Sequence, residues 1–383
     1  MTLVVNRRRR GPATHVLIVG VGGYRHLAGH PVGPRMSDPY AFGGLGQLTS
    51  PPVSALEMVK VFAESDSDSW RAPLGSVDAL ISPHPANPTP GGPGTTYSQP
   101  TAANIQRAYD KWWDRCDQDS DNVAILYLCG HGIEGDEQYF LASDFGANPR
   151  RPWENAIAID STIKGLWHNR AETQCVLVDA CREIVPASRT TAKISGRPLD
   201  QFSEDRTISY KYPLVLKAVA ATERAFAQEG ATAYFTQALA HALRGGAAVE
   251  DDDTGAWAVT TAGIASKIHE ILTTVAPDRT HSAEPVQGKS SSLRLLRTPP
   301  TVTVRVDCDP NDANKLAAFS CDSNDDATVH FERTAGEPDA WELELPAGYY
   351  TLAARFRTST YKDARRNLLA APPQRRPKLR VWK

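Results

Sequence analysis

The chain has 383 residues, with 42 Lys plus Arg against 44 Asp plus Glu and 41% hydrophobic content. That content suffices to bury a core, and the near-neutral balance argues against a dedicated nucleic-acid binder, which usually carries a strong basic excess. No run of eighteen apolar residues occurs, and no apolar stretch follows the charges of Met1–Ala13, so the expectation is a cytoplasmic protein with neither membrane span nor signal peptide. Six cysteines without any C-x-x-C pair are too sparse for a disulfide scaffold and wrongly spaced for zinc.

Taken in chain order, residues 1–13, with Arg7–Arg10, read as a basic arm. His15–Gly20 (HVLIVG) is short, apolar and β-branched and ends in glycine, as a buried strand does. Ser50 with Pro51 and Pro52 opens a helix carrying Leu56, Val59 and Phe62 on one face. Residues 83–100 are rich in Pro, Gly and Ser and read as a loop. Thr101 then precedes Ile105, Ala108, Tyr109 and Trp112, a helical i, i+3, i+4, i+7 series. Val123–Leu128 (VAILYL) and Cys175–Val178 (CVLV) are two further buried-strand runs, with a short helix at Ile163, Leu166 and Trp167 between them. Leu214–Ala220 is another strand, and helices follow at Tyr234–Arg244 and Ala262–Leu272. Strands that are continuously apolar and alternate with helices predict an α/β fold, a mostly parallel sheet covered on both faces. The polar stretch from Arg182 to Tyr212 separates two strands and reads as a long exposed loop, a kind of segment that is often functional.

After Leu296 the pattern changes. Thr301–Asp307 alternates strictly, Trp341, Leu343 and Leu345 do the same, and Pro346-Ala347-Gly348 turns into Tyr349–Arg355. Residues 299–383 therefore read as a small antiparallel β-sandwich, joined through Thr298-Pro299-Pro300 to a first domain over 14–298.

Two predicted strand ends carry chemistry. VAILYL runs into Cys129-Gly130-His131-Gly132, and CVLV runs into Asp179-Ala180-Cys181-Arg182. Ligands of open parallel sheets bind at the carboxyl ends of strands. A lone His or an apolar-flanked Cys is usually structural. Placed together at two such ends, fifty positions apart, they form an intelligible base and nucleophile. The amides of Gly132 and Cys181 could then hold a developing oxyanion. Other patterns fail: Gly20-x-Gly22-Gly23 lacks the third glycine of a dinucleotide fingerprint. Asp117-x-Asp119-x-Asp121 has Asn122 and Leu128 where a calcium loop needs glycine and glutamate, and Asp322-x-Asn324-x-Asp326 fails similarly. No cofactor and no metal are expected.

These blocks, in this order, resemble the caspase-like cysteine peptidases, closest to the metacaspase and bacterial orthocaspase branch. The resemblance covers about residues 14–298: LIVGVGGY at Leu17–Tyr24, YLCGHG at Tyr127–Gly132, YFLASD at Tyr139–Asp144, VDACR at Val178–Arg182, Ala220–Glu229, and YFTQAL at Tyr234–Leu239. It implies a caspase-like three-layer fold and a His131–Cys181 dyad acting through a thioester. It also implies a substrate pocket holding Asp179, with Glu223 and Asp144 as further substrate-binding acids, and cleavage of protein substrates after Arg or Lys. A carboxylate pair suits a guanidinium, which it binds through charge-assisted bonds. Cys181 is followed by Arg182-Glu183, where relatives have Arg-Gly or His-Ser-Gly. The resemblance leaves calcium open, since some relatives need it. It further implies activation by cleavage in the loop 182–212, at Arg189, Lys193, Arg197 or Arg206, in cis or by an upstream protease. Bacterial relatives often serve stress or antiphage systems. The partners expected are protein substrates and such a protease, not nucleic acid or membrane. The alternative is a catalytically silent scaffold that uses the fold for protein binding.

Overall fold

The apolar runs form the centre of a sheet that is buried on both sides. The computed structural model describes residues 2–7, 10–33, 42, 44–64, 69–87, 96–186, 196–204, 212–218, 229–251, 253–277, 283–287 and 289–383. The first unit contains β1 (Thr2–Asn6), β2 (Thr14–Val21), α1 (Ser50–Ala63), β3 (Leu74–Ser82), α2 (Ala102–Cys116) and β4 (Val123–Gly130). A small three-stranded sheet follows, of β5 (Gly132–Glu134), β6 (Gln138–Leu141) and β7 (Ala156–Ala158). After it come α3 (Ile159–Leu166), β8 (Thr173–Ala180), β9 (Tyr212–Ala218) and α4 (Tyr234–His241). Past the short strands β10 (Ala248–Glu250) and β11 (Trp257–Thr260) lie α5 (Thr261–Val275), β12 (Ala283–Gln287) and β13 (Ser292–Leu296).

Among the described residues the main sheet runs β1-β3-β2-β4-β8-β9-β12. Its five central strands are parallel, and β1 and β12 are antiparallel edges. The α/β expectation is met in this mixed sheet flanked by helices. Leu17, Val19, Ala124, Leu126, Val176 and Val178 pack on one face with Ile105, Tyr109 and Trp112 of α2. The other face receives α1, α4 and α5. Gly20 is glycine because a Cβ there would lie 2.5 Å from Ala55 of α1 and 2.9 Å from the Pro51 carbonyl. Val59 and Phe62 of α1 are buried as expected, together with Ala55 and Met58, while Leu56 is half-exposed. Thr101 caps α2, its side chain accepting from Asn104 N–H.

Three strands of the main sheet escape the apolar-run criterion. β1 lies in the segment expected to be a basic arm and pairs with β3. β3 itself, LGSVDALIS, is wholly buried although it contains Gly, Ser and Asp. Asp78 within it is paired with Arg115 of α2, which compensates the buried carboxylate. β12 pairs with β9.

The chain divides into two compact units, Met1–His241 with Thr260–Arg294, and Ala242–Val259 with Leu295–Lys383. Residues 242–259, read from the sequence as part of the first domain, thus group with the second unit. That unit contains β14 (Thr301–Asp309), β15 (Ala317–Ser323), β16 (His330–Arg333), β17 (Trp341–Pro346), β18 (Gly348–Phe356), β19 (Ala364–Ala370), β20 (Gln374–Arg375) and β21 (Lys378–Arg380). One sheet runs β17-β14-β20 with β21 also on β14, and the other runs β16-β15-β18-β19. The strict burial alternation of β14 and β17 gives each strand one inner face, and the rings of Phe319 and Trp341 meet 5.9 Å apart across the two sheets.

Candidate active site

β4 and β8 are parallel neighbours in register, Cys129 opposite Asp179 and Gly130 opposite Ala180. His131 and Cys181 are the next residues of the two strands, so both leave the sheet at the same edge. They line one cavity of about 560 Å³, together with the segment Gly44–Pro51, Asp179, Glu183 and Glu229.

Cys181 is half-buried, while the other five cysteines are buried. Burial raises those five thiols, to about 12 for Cys175 and Cys321, about 11 for Cys308, and well above the usual range for Cys116 and Cys129. They stay protonated at neutral pH and are poor nucleophiles.

His131 is 7% exposed. Its backbone N–H donates to the Tyr24 hydroxyl at 2.7 Å, and the two rings lie 4.8 Å apart. Nε2 lies 2.9 Å from the Gly46 carbonyl oxygen. A carbonyl can only accept, so Nε2 carries the proton and Nδ1 is the basic nitrogen. Gly46 is held by its neighbour. The Gln47 amide accepts from Tyr24 N–H at 2.7 Å and donates to the Tyr24 and Ala28 carbonyls at 3.0 and 2.8 Å. Neither Gly46 nor Gln47 was marked by the sequence, because a loop carbonyl has no residue-type signature.

The glycines beside His131 make room for protein rather than substrate. A Cβ on Gly132 would stand 2.1 Å from the Cys181 carbonyl oxygen, and one on Gly130 2.7 Å from the Tyr24 hydroxyl. The two loops are further joined by Glu134 N–H to Glu183 O (2.9 Å) and Glu183 N–H to Gly132 O (3.3 Å). Arg182 forms a bidentate pair with Glu134, Nε to Oε2 at 2.7 Å and Nη2 to Oε1 at 2.8 Å.

Asp179 is 2% exposed and lines the cavity. Burial raises its carboxyl to about 6, against the lowering effect of hydrogen bonds from Thr236 and Cys129. Thr236 of α4 donates to Oδ2 at 2.5 Å and lies 2.6 Å from the Tyr127 hydroxyl, from which it must accept. Glu223 and Arg224 lie outside the described residues. Asp144 is not brought to the cavity: its Oδ1 accepts from Ala102 N–H at the start of α2, 2.9 Å away. Glu229, the last residue of the block Ala220–Glu229, is an exposed acid of the cavity wall that the sequence did not single out. Among its described lining residues the cavity has three carboxylates, Asp179, Glu183 and Glu229, and no Lys or Arg. No group of three or more His, Cys, Asp or Glu side chains among the described residues forms a metal-holding cluster. Asp119 and Asp117 instead accept from the backbone N–H groups of Asp121 and Arg170.

A mixed sheet with a histidine and a half-buried cysteine at adjacent strand ends is the framework of a caspase-type peptidase. A family model described as the caspase domain of the C14 peptidases matches residues 42–276, and the chain belongs to that family. A relative, the uncharacterized protein y4kE of Sinorhizobium fredii (strain NBRC 101917 / NGR234), is 27% identical over 280 residues, covering 71% of this chain and 79% of the relative. No helix among the described residues is long and apolar enough to cross a membrane.

Proposed function

We propose that the protein is a cysteine endopeptidase cleaving peptide bonds after Arg or Lys, with His131 and Cys181 as its dyad. The supporting observation is the shared cavity, in which both residues stand among carboxylates without a described Lys or Arg. His131 Nδ1 takes the proton of the Cys181 thiol, and the thiolate attacks the scissile carbonyl carbon. As the tetrahedral intermediate collapses, the C–N bond breaks and the imidazolium returns its proton to the leaving amine. The thioester that remains is hydrolysed by a water that His131 deprotonates. The amides of Gly132 and Cys181 are the proposed donors to the oxyanion. Asp179 receives the guanidinium or ammonium of the residue before the cleaved bond, since a buried carboxylate gains most from a cation placed against it. Glu229 is a second acid for the same cation.

Activation follows cleavage within 182–212. Arg189, Lys193 and Arg206 lie outside the described residues. Arg197 is the least suited of the four, because its N–H and carbonyl are bonded to the Ala156 carbonyl and Ala158 N–H of β7 at 3.0 and 3.1 Å. A protease would first have to detach it.

Fluorogenic peptides ending in Arg, Lys and Asp test the reading, with Cys181→Ala as the control. Turnover of the Arg and Lys peptides that vanishes in Cys181→Ala is expected. A preference for Asp would overturn the role of Asp179. Absence of turnover before and after limited proteolysis would instead favour a silent scaffold.

A further inference from the structure

Arg182 and Glu134 are unexplained by the chemistry above, and Arg182 stands directly before Glu183, where the motif departs from its relatives. Arg182 follows the nucleophile directly, and Glu134 lies three residues beyond His131. Their contact is bidentate, and both side chains are about one-fifth exposed, at 19% and 21%. Such a planar, two-point contact fixes direction as well as distance, which a single hydrogen bond does not. It is also one of several ties that join the segments following His131 and Cys181. Ile133 and Glu183 form an isolated parallel bridge. The Gln138 amide of β6 reaches the Ala180 and Cys181 carbonyls at 3.3 and 3.4 Å. Gly132 gives way to the Cys181 carbonyl. Glutamate after Arg182, in place of the glycine of relatives, therefore does not loosen the loop, because residue 183 is bound in extended pairing through its backbone.

We infer that the Arg182–Glu134 pair is a positioning clasp that locks the Cys181 loop to the His131 loop and so maintains the thiol against its base. Neither residue touches the reacting atoms in this role; the pair acts through the backbone on either side. The inference rests on the dyad reading. Cys181 shares its cavity with the titratable or charged groups His131, Asp179, Glu183, Glu229, His84 and Cys129, none of which the Glu134 and Arg182 variants below alter.

The test is a cycle of Glu134→Gln, Arg182→Gln and the combined variant, with Arg182→Lys and His131→Ala beside them. Two readouts are taken: kcat and KM on an Arg peptide, and the rate at which iodoacetamide modifies Cys181 at about pH 6, followed by intact mass. Each single variant is expected to lower kcat by about tenfold to a hundredfold with KM within about twofold, as small misplacements of reacting groups do. The combined variant should be no worse than the poorer single one, because both remove the same contact. Arg182→Lys, which retains the charge without the fork, should fall between. Alkylation should drop about tenfold, towards the His131→Ala rate, while mass shows one modified cysteine and hence a folded protein. If wild type alkylates no faster than His131→Ala, the dyad reading fails and the clasp with it. If wild type is faster and the clasp variants match it, or the single losses multiply in the combined variant, the clasp alone is overturned.

Discussion

The Gly46 carbonyl accepts a hydrogen bond from Nε2 of His131 at 2.9 Å, across 85 residues of sequence. A backbone oxygen thus does for this imidazole what a carboxylate does in a serine-type triad: it selects the tautomer and aims the ring. It does so without a second negative charge beside the ring.

Since Gln47 holds Gly46, the first prediction concerns that amide. Gln47→Ala removes its bonds to Tyr24 and Ala28 and should reduce kcat by about tenfold while KM for an Arg peptide changes little. Steady-state kinetics on wild type and variant decides it. A rise in KM with kcat intact would place Gln47 in substrate binding instead.

A second prediction follows from the Asp179 carboxyl, raised to about 6 chiefly by burial. Above that pH it is ionised and attracts a cation; on acidification through about 6 it gains a proton and loses that attraction. The ratio of kcat/KM for matched Arg and citrulline peptides should be flat above about pH 7 and decline below about pH 6. Protonation of His131 affects both peptides alike and cancels in the ratio. A flat ratio from pH 5 to 8 would sink the pocket role.

Asp144 provides the third. Its carboxylate binds Ala102 N–H, one of the donors that a helix start leaves without an intrahelical partner. Asp144→Ala should destabilise the fold by about 1 kcal/mol in denaturant titration, the usual loss on removing a cap. Selectivity between Arg and Lys peptides should not move. A changed selectivity would restore the substrate-binding role expected from the sequence.

Buried charge yields the fourth. Asp78 is fully buried and paired with Arg115, and burial raises its carboxyl to about 6 despite that partner. Arg115→Gln leaves the carboxylate uncompensated, an effect on the order of 3 kcal/mol. Because Asp78 is a raised acid, it is charged at pH 8 and largely protonated at pH 5, so the loss should be larger at pH 8. Urea melts at the two pH values provide the comparison.

What the sequence revealed and hid has a common physical basis. β2, β4 and β8 were legible because a parallel strand covered on both faces must be apolar without interruption. β3 was not, because Asp78 sits in its middle and its partner Arg115 comes from a helix 37 positions later; no local pattern encodes that compensation. Likewise β1 is a strand only because β3 offers an edge to pair with. In the site, His131 and Cys181 announced themselves by residue type at strand ends. Gly46 contributes only a carbonyl, which every residue has. Nor does any local pattern encode what stands against the glycines beside His131: the Cys181 carbonyl and the Tyr24 hydroxyl.

The buried acid lining the cavity hangs on a hydrogen-bonded string, Tyr127 to Thr236 to Asp179, whose middle link belongs to α4. With Asp179 as the proposed acceptor of the substrate's cation, evolution has a lever on substrate preference that no substrate meets. Replacing Thr236 by serine, valine or alanine would retune the proton affinity of Asp179 from behind, leaving the cavity wall unaltered. Divergent members of such a lineage could share every residue that faces a peptide and still differ in the acidity at which they accept one.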